Sequence, residues 1–136
     1  MINEYALITG ASSGIGLEIS KCLALRGYSL ILVSRRKQKL DEIRNDLINQ
    51  FKVKVDIIAA DLEDMKTPEL IYNYCKGKGY FVHLLVNNAG YALPKPFHET
   101  PMEDEEKFLR VLGISVVALT KLFINCLLYT SDAADD

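Results

Sequence analysis

Tryptophan is absent from the 136 residues, and there are only three cysteines and two histidines. Cys22, Cys75 and Cys126 are far apart, with no Cys-x-x-Cys and no Cys/His pair at ligand spacing. This excludes a zinc finger, a metal-ligand set or a disulfide framework. It suits a reducing cytosol, where a buried thiol acts as a small apolar group. His83 and His98 have no partner carboxylate in sequence and are expected at a strand end and in a loop, not as catalysts. Excess charge is also missing: 16 Lys and Arg stand against 18 Asp and Glu, a net charge of −2. RRKQK at 35–39 is the one basic run, so no nucleic-acid partner is expected. The N-terminal MINEYALITG lacks a basic segment followed by an apolar core. No apolar run approaches about 18 residues, so a cytoplasmic protein without a membrane partner is expected.

What is present has the composition of one ordinary globular domain, 49% hydrophobic and 25% charged. Short apolar runs recur at 5–8, 30–33, 53–60 and 82–86. Most are continuous instead of alternating, as expected for strands covered on both faces. Helical patterns lie between them. Ile15, Ile19, Cys22 and Leu23 form a first stripe ended by Gly27; Leu40, Ile43, Leu47, Ile48 and Phe51 form a second. A poorer one runs through Leu70, Ile71, Tyr74 and Cys75, closing at Gly77 and Gly79. Such alternation predicts βαβ units and a parallel sheet, hence an α/β fold. In ETPMEDEEKFL a fresh helix is expected, with Thr100 as N-cap, Pro101 at N1 and Glu103 completing a capping box.

The first strand runs straight into TGASSGIG at 9–16. Gly10 can make the tight turn off the strand, Gly14 lets backbone approach a phosphate, and Gly16 lets the helix pack closely. Free N–H groups at the helix start, including that of Ile15, suit a pyrophosphate, and Ser12 and Ser13 add hydroxyls. There is no Gly-Lys-Ser/Thr, so this is not a P-loop. An acid that would bind a ribose 2′-OH is expected about 20 positions past the glycines. The second strand instead ends LILVSRRK. Ser34 can donate to a phosphate oxygen, and Arg35 or Arg36 can offer a guanidinium fork. NADP(H) is therefore the expected cofactor, with NAD(H) second. The plainer alternative is that Arg35 and Arg36 only solvate the start of the next helix.

TGASSGIG resembles the cofactor turn of the short-chain dehydrogenase/reductase family, and three further features agree in order and spacing. These are Asp61-Leu62 closing the third strand, LLVNNAG at 84–90, and LTKLF at 119–123. The resemblance covers 4–125 and implies a Rossmann-like doubly wound sheet, of which the first four strands and flanking helices are present. It implies that Asp61 and Leu62 lie beside the adenine. It also implies that Asn88, Ala89 and Gly90 line the ribose and nicotinamide side, with Asn87 bracing strands. The activity implied is hydride transfer between a nicotinamide and a small carbonyl or alcohol, in a homo-oligomer.

The family's catalytic Ser and Tyr-x-x-x-Lys would lie downstream of these features. A pair with that spacing, Tyr72 and Lys76, precedes NNAG and is read as coincidence. The family's catalytic Asn would fall at Leu112, or at Ser115 with a gap, and neither is Asn. Finally, CLLYTSDAADD at 126–136 resembles the in-frame translation of a transposase-based DNA sequencing adapter. The natural sequence is therefore expected to stop being visible near Asn125, leaving here the N-terminal part of an NAD(P)-binding domain without turnover. A non-catalytic NADP(H)-binding module is the alternative.

Overall fold

The structure, a computed structural model, describes residues 4–135, with side chains through Leu128. The DAADD end of the adapter-like segment therefore lies outside the described side chains. Strands β1 (Glu4–Thr9), β2 (Ser29–Ser34), β3 (Val55–Ala59) and β4 (Phe81–Val86) form one parallel sheet in the order β3-β2-β1-β4. Helices α1 (Gly14–Leu25), α2 (Lys37–Phe51) and α3 (Thr67–Lys78) make the crossovers. After β4 an irregular segment and a 3-10 turn (Phe97–Glu99) lead into a rod. The rod consists of α4 (Met102–Leu109), a π turn (Arg110–Ile114) and α5 (Ser115–Asp135). The expected α/β class and parallel sheet are therefore present.

Inside the continuous apolar strands, the two-residue period sorts side chains into two layers. Tyr5, Leu7, Ile31 and Val33 pack with Ile71, Cys75, Leu119 and Phe123. Ala6, Ile8, Leu30 and Leu32 pack with Ala24, Leu40, Ile43 and Leu47 on the opposite face. Each buried Leu, Ile or Val contributes about 1.5–3 kcal/mol. Cys75 is buried as an apolar group, its thiol pushed up to about 12 mainly by desolvation, whereas Cys22 is exposed. The third strand is shorter than its apolar run, because Lys52 ends α2 in the left-handed region (φ 57) and the next two residues only connect.

Three local expectations are corrected. Helix α1 buries Gly16, Ser20 and Ala24, not the expected stripe, and leaves Ile15 74% exposed. The tight glycine turn presses the start of α1 against the end of β1, so the small-residue face must point inward. Ser20 satisfies its hydroxyl by donating to the Gly16 carbonyl at 2.8 Å. The capping box is not formed: Pro101 is the N-cap of α4, and Thr100 donates back to the Lys95 and Pro96 carbonyls. Glu103, Asp104 and Glu105 do occupy the first turn, where the helix dipole favours them. His83 lies inside β4 at a register shift opposite β1, stacked on Tyr28 at 5.5 Å, and so is not a strand-end residue.

The rod also departs from the sequence reading. From Met102 to Leu128 it has a window of mean hydropathy 2.1, enough by length and composition to cross a membrane, and 22% of that window is buried. Val111, Leu119 and Phe123 are committed to the sheet, while Leu112, Ile114, Val117, Ile124 and Leu128 are exposed.

At the opposite end of the sheet from the glycine turn, Tyr74 and Tyr80 hydroxyls both donate to Asp56 Oδ2, at 2.9 and 2.7 Å. Burial first, then Asp56, raises both phenols, Tyr74 to about 12. A folded pKa above the ordinary value of about 10 means this stabilisation is whole below pH 10 and is lost as pH rises through about 12. The melting temperature is therefore expected to fall more steeply from pH 9 to 12 in the parent than in Tyr74→Phe/Tyr80→Phe. Parallel curves would show that the carboxylate clamp adds nothing to stability.

Candidate functional site

The sheet order reverses between β1 and β4, and the strands' C-terminal ends open there into a cleft of about 710 Å³. Open α/β sheets bind ligands at such a crevice. Every site residue expected from the sequence lines this cleft except Gly16.

Its base is the glycine turn. Gly10 leaves β1 at φ +63, and a Cβ there would lie 2.8 Å from Ala89 Cα. Gly14 also has positive φ (+57), but open space surrounds it. A Cβ on Gly16 would collide with the Gly10 carbonyl oxygen and Asn88 Nδ2, so this glycine lies beneath the cleft, not on its surface. Ser13 caps α1 without a side-chain hydrogen bond, which leaves the first N–H groups of α1 without a side-chain partner.

At the end of β2, three polar side chains converge. Ser34 Oγ donates to Ser12 Oγ at 2.8 Å, and Arg36 Nη2 donates to the same oxygen at 3.2 Å. The Arg36 N–H also reaches Ser34 Oγ at 3.3 Å. Arg35 lines the cleft beside them. The carboxylates on the cleft, Asp61 and Glu63, belong to the loop after β3. Asp61 Oδ1 accepts the Glu63 N–H at 2.9 Å, and Thr67 Oγ1 donates to the Asp61 carbonyl, so the loop is held by its own turn. Its second carboxylate oxygen remains available as an acceptor.

The NNAG segment is held differently from the sequence reading. Asn88, not Asn87, braces the strands: its Nδ2 donates to the Thr9 and Gly10 carbonyls at 3.2 and 3.1 Å. Two carbonyl acceptors fix which end of that amide is nitrogen. Thr9 Oγ1 accepts both the Asn88 and Ala89 N–H groups at 3.0 Å, fastening the end of β4 to β1. Asn87 instead donates to Thr120 Oγ1 on α5 at 3.3 Å.

Glu63 and Tyr91 line the cleft but were missed in the sequence, as were Val33, Ala60 and Val111. Their signal was adjacency, since Glu63 follows Asp61-Leu62 and Tyr91 follows NNAG. The Tyr91 hydroxyl donates to Glu63 Oε1 at 3.3 Å, and its ring packs edge-on to Phe108 at 5.6 Å. Burial, then Glu63, pushes the Tyr91 phenol up, with Arg35 acting the other way.

Neither position considered for the family Asn offers an amide. Leu112 packs over Gly90, where a Cβ would lie 2.7 Å from Leu112 Cδ2, and buried Ser115 donates to the Val111 carbonyl at 2.6 Å. Tyr72 packs edge-on to Phe123 at 5.3 Å, and neither it nor exposed Lys76 lines the cleft. Tyr74/Lys78 and Tyr91/Lys95 share the Tyr-x-x-x-Lys spacing. Tyr74 is held by Asp56, with Lys78 over its ring at 5.7 Å. Tyr91 is on the cleft, yet its segment is not helical, so spacing does not bring Lys95 beside it. A raised phenol is also the opposite of an activated proton donor. Among the described residues no group of three or more His, Cys, Asp or Glu could hold a metal ion.

A family model described as short chain dehydrogenase matches residues 4–134. The chain belongs to the short-chain dehydrogenase family. Curated relatives of this short-chain dehydrogenase include the very-long-chain 3-oxoacyl-CoA reductase of Pyrenophora tritici-repentis, 35% identical over 122 residues. That alignment covers 87% of this chain and 36% of the relative. The reductase of the same description from Bos taurus is 34% identical over 139 residues, covering 98% of this chain and 43% of the relative. The chain thus spans well under half the length of these relatives. Among solved structures, the L-sorbose reductase of Gluconobacter frateurii, complexed with NADPH and L-sorbose, is similar with TM-score 0.85 at 27% identity. That match covers 93% of this chain and 50% of the reductase. The alcohol dehydrogenase of Thermococcus sibiricus, complexed with 5-hydroxy-NADP, has TM-score 0.84 at 30% identity, covering 91% and 53%.

Proposed function

We propose that this chain is the NADP(H)-binding part of an oxidoreductase that interconverts a carbonyl and an alcohol. The observation that carries the reading is the end of β2, where Ser34, Arg35 and Arg36 stand in place of a ribose-binding acid. The donor set fits a 2′-phosphate: two guanidinium groups and the Ser12 hydroxyl, whose oxygen already accepts from Ser34, supply donors, and no carboxylate opposes it there. Solved neighbours bound to NADPH or 5-hydroxy-NADP support the choice.

In this proposal Gly10, Ser12, Ser13, Gly14 and Ile15 receive the pyrophosphate, with Gly16 packed beneath them. Ser34, Arg35 and Arg36 hold the 2′-phosphate, Asp61 and Leu62 the adenine, and Asn88, Ala89 and Gly90 the ribose. The amide nitrogen of Asn88 is engaged by main-chain carbonyls, so its contribution is an acceptor oxygen and a fixed backbone. When bound, the nicotinamide supplies or accepts the hydride. Among the described residues no Tyr-x-x-x-Lys pair has both members on the cleft, so these 136 residues are expected to bind cofactor without turnover. NADPH-dependent reduction of a 3-oxoacyl thioester, the first substrate to assay given the curated relatives, would overturn that expectation.

Titration followed by nicotinamide fluorescence is expected to show NADPH binding at least about tenfold tighter than NADH, as one to two charge-assisted bonds would produce. Equal affinity, or a preference for NADH, would sink the reading. A second reading, a non-catalytic NADP(H)-binding module, is favoured by the absence of Asn at both Leu112 and Ser115. It predicts the same binding result but no hydride transfer from the whole protein to any carbonyl.

A further inference from the structure

We infer that Tyr91 and Glu63 form a clasp that closes over the adenosine half of the bound dinucleotide and slows its release. This deepens the cofactor reading above and rests on it. The Tyr91–Glu63 hydrogen bond, at 3.3 Å, joins the loop after β4 to the loop after β3. In the order β3-β2-β1-β4 those strands are the two opposite edges of the sheet. Three strand spacings, roughly 14 Å, separate them. The two side chains must therefore reach inward over the ends of β1 and β2 to meet. Gly10, Ser12, Val33 and Ser34 line the same cleft from those central strands. A ligand lying on them is covered by the bond between the loops.

The end that is covered can be assigned. Glu63 sits on the Asp61 turn, its N–H donating to Asp61 Oδ1 at 2.9 Å, and Arg35, Asp61, Glu63 and Tyr91 line the same cleft. Arg35 and Asp61 belong to the 2′-phosphate and adenine ends of the proposed site, not to the nicotinamide end. Tyr91 is also prepared for the role, because Phe108 of α4 buttresses its ring edge-on at 5.6 Å. Little ordering entropy is then lost on closure. Glu63 is half-buried and its backbone is fixed by the Asp61 turn, so the acceptor is held as well. Neither residue touches a reacting atom in this scheme, and both are positioning residues.

The test compares the 136-residue parent with Tyr91→Phe, Glu63→Ala, their double variant and Glu63→Gln. Two probes are used, NADPH and 2′,5′-ADP, the latter carrying the adenosine half alone. Tyr91→Phe and Glu63→Ala should each raise both dissociation constants about three- to tenfold, because loops that the bond holds in place must then be ordered on binding. The rise should come from faster dissociation in stopped flow, with association no slower than in the parent. The double variant should be no worse than either single one, and Glu63→Gln, which keeps an acceptor oxygen, should restore most of the loss. A merely structural role would lower the melting temperature without this pattern. NADPH binding by the parent that all variants match within about twofold overturns the clasp while leaving the cofactor reading intact. Weakening of NADPH but not of 2′,5′-ADP overturns its assignment to the adenosine half. Failure of the parent to bind NADPH overturns the cofactor reading, and the clasp with it.

Discussion

Alanine at Gly10 is expected to lower stability by about 3 kcal/mol and to remove NADPH binding, from two costs that add. The backbone sits at φ +63, where a residue with a Cβ is strained by about 1–2 kcal/mol. The new methyl would also lie 2.8 Å from Ala89 Cα and 2.9 Å from Asn88 Nδ2. Neither neighbour can retreat cheaply. Thr9 Oγ1 pins the Asn88 and Ala89 N–H groups, and Asn88 Nδ2 is tied to two carbonyls, one of them that of Gly10 itself. Overpacking of this kind costs about 1–3 kcal/mol. Gly14→Ala is the matched comparison, since φ is +57 but no atom lies within 4 Å of the added Cβ. It should lose only the backbone term, about 1–2 kcal/mol, and still weaken NADPH by occupying the phosphate approach. Urea midpoints for the two variants, read with the NADPH titration, decide the point. If Gly10→Ala unfolds at the parent midpoint, the turn is not as tight as the contacts require.

The sheet was legible because its strands are short, apolar and bounded by turn residues, and a buried parallel strand has few other ways to read. The glycine turn was legible for a similar reason: backbone that must take positive φ restricts the residue type. Helix α1 was misread because its largest apolar side chains are not the ones that face the sheet. Contact distance, set by Gly16 against the Gly10 carbonyl, selected the small face Gly16, Ser20 and Ala24 over Ile15 and Ile19. Periodicity alone cannot report that. The two asparagines of NNAG are adjacent and chemically identical, so which one braces β1 depends on strand direction at the last residue of β4. The Tyr91–Glu63 bond had no signature at all. It joins residues 28 apart on loops from the two edge strands, whose side chains meet across the strand ends. Positions on the cleft that lie beside a recognisable motif were thus within reach of the sequence, and pairings across it were not.

Removing both guanidinium groups with Arg35→Ala/Arg36→Ala is expected to raise the NADPH dissociation constant on the order of 30- to 100-fold. A charge-assisted bond to phosphate contributes about 1.5–3 kcal/mol, and each 1.4 kcal/mol is tenfold. Exposure of both side chains brings the expected loss below the sum of two such bonds, because solvent and salt screen them. NADH lacks the 2′-phosphate, so its affinity should change by less than about threefold. Ser34 would still donate to Ser12 at 2.8 Å, so the floor of the site stays in place. Raising the salt concentration should mimic the double variant in the parent and have little effect in the variant itself. Ser34→Asp then supplies the missing acid: a carboxylate at that position accepts the ribose 2′-OH of NADH and repels a 2′-phosphate. It should reverse the order of the two cofactors. The plainer role for Arg35 and Arg36, solvating the start of α2, gives a different result. Arg36 is the N-cap of α2 without a side-chain cap bond, so alanine there would lower the melting point slightly and weaken NADPH and NADH by the same factor. Equal losses for the two cofactors would therefore assign the arginines to the helix and leave the 2′-phosphate without a site.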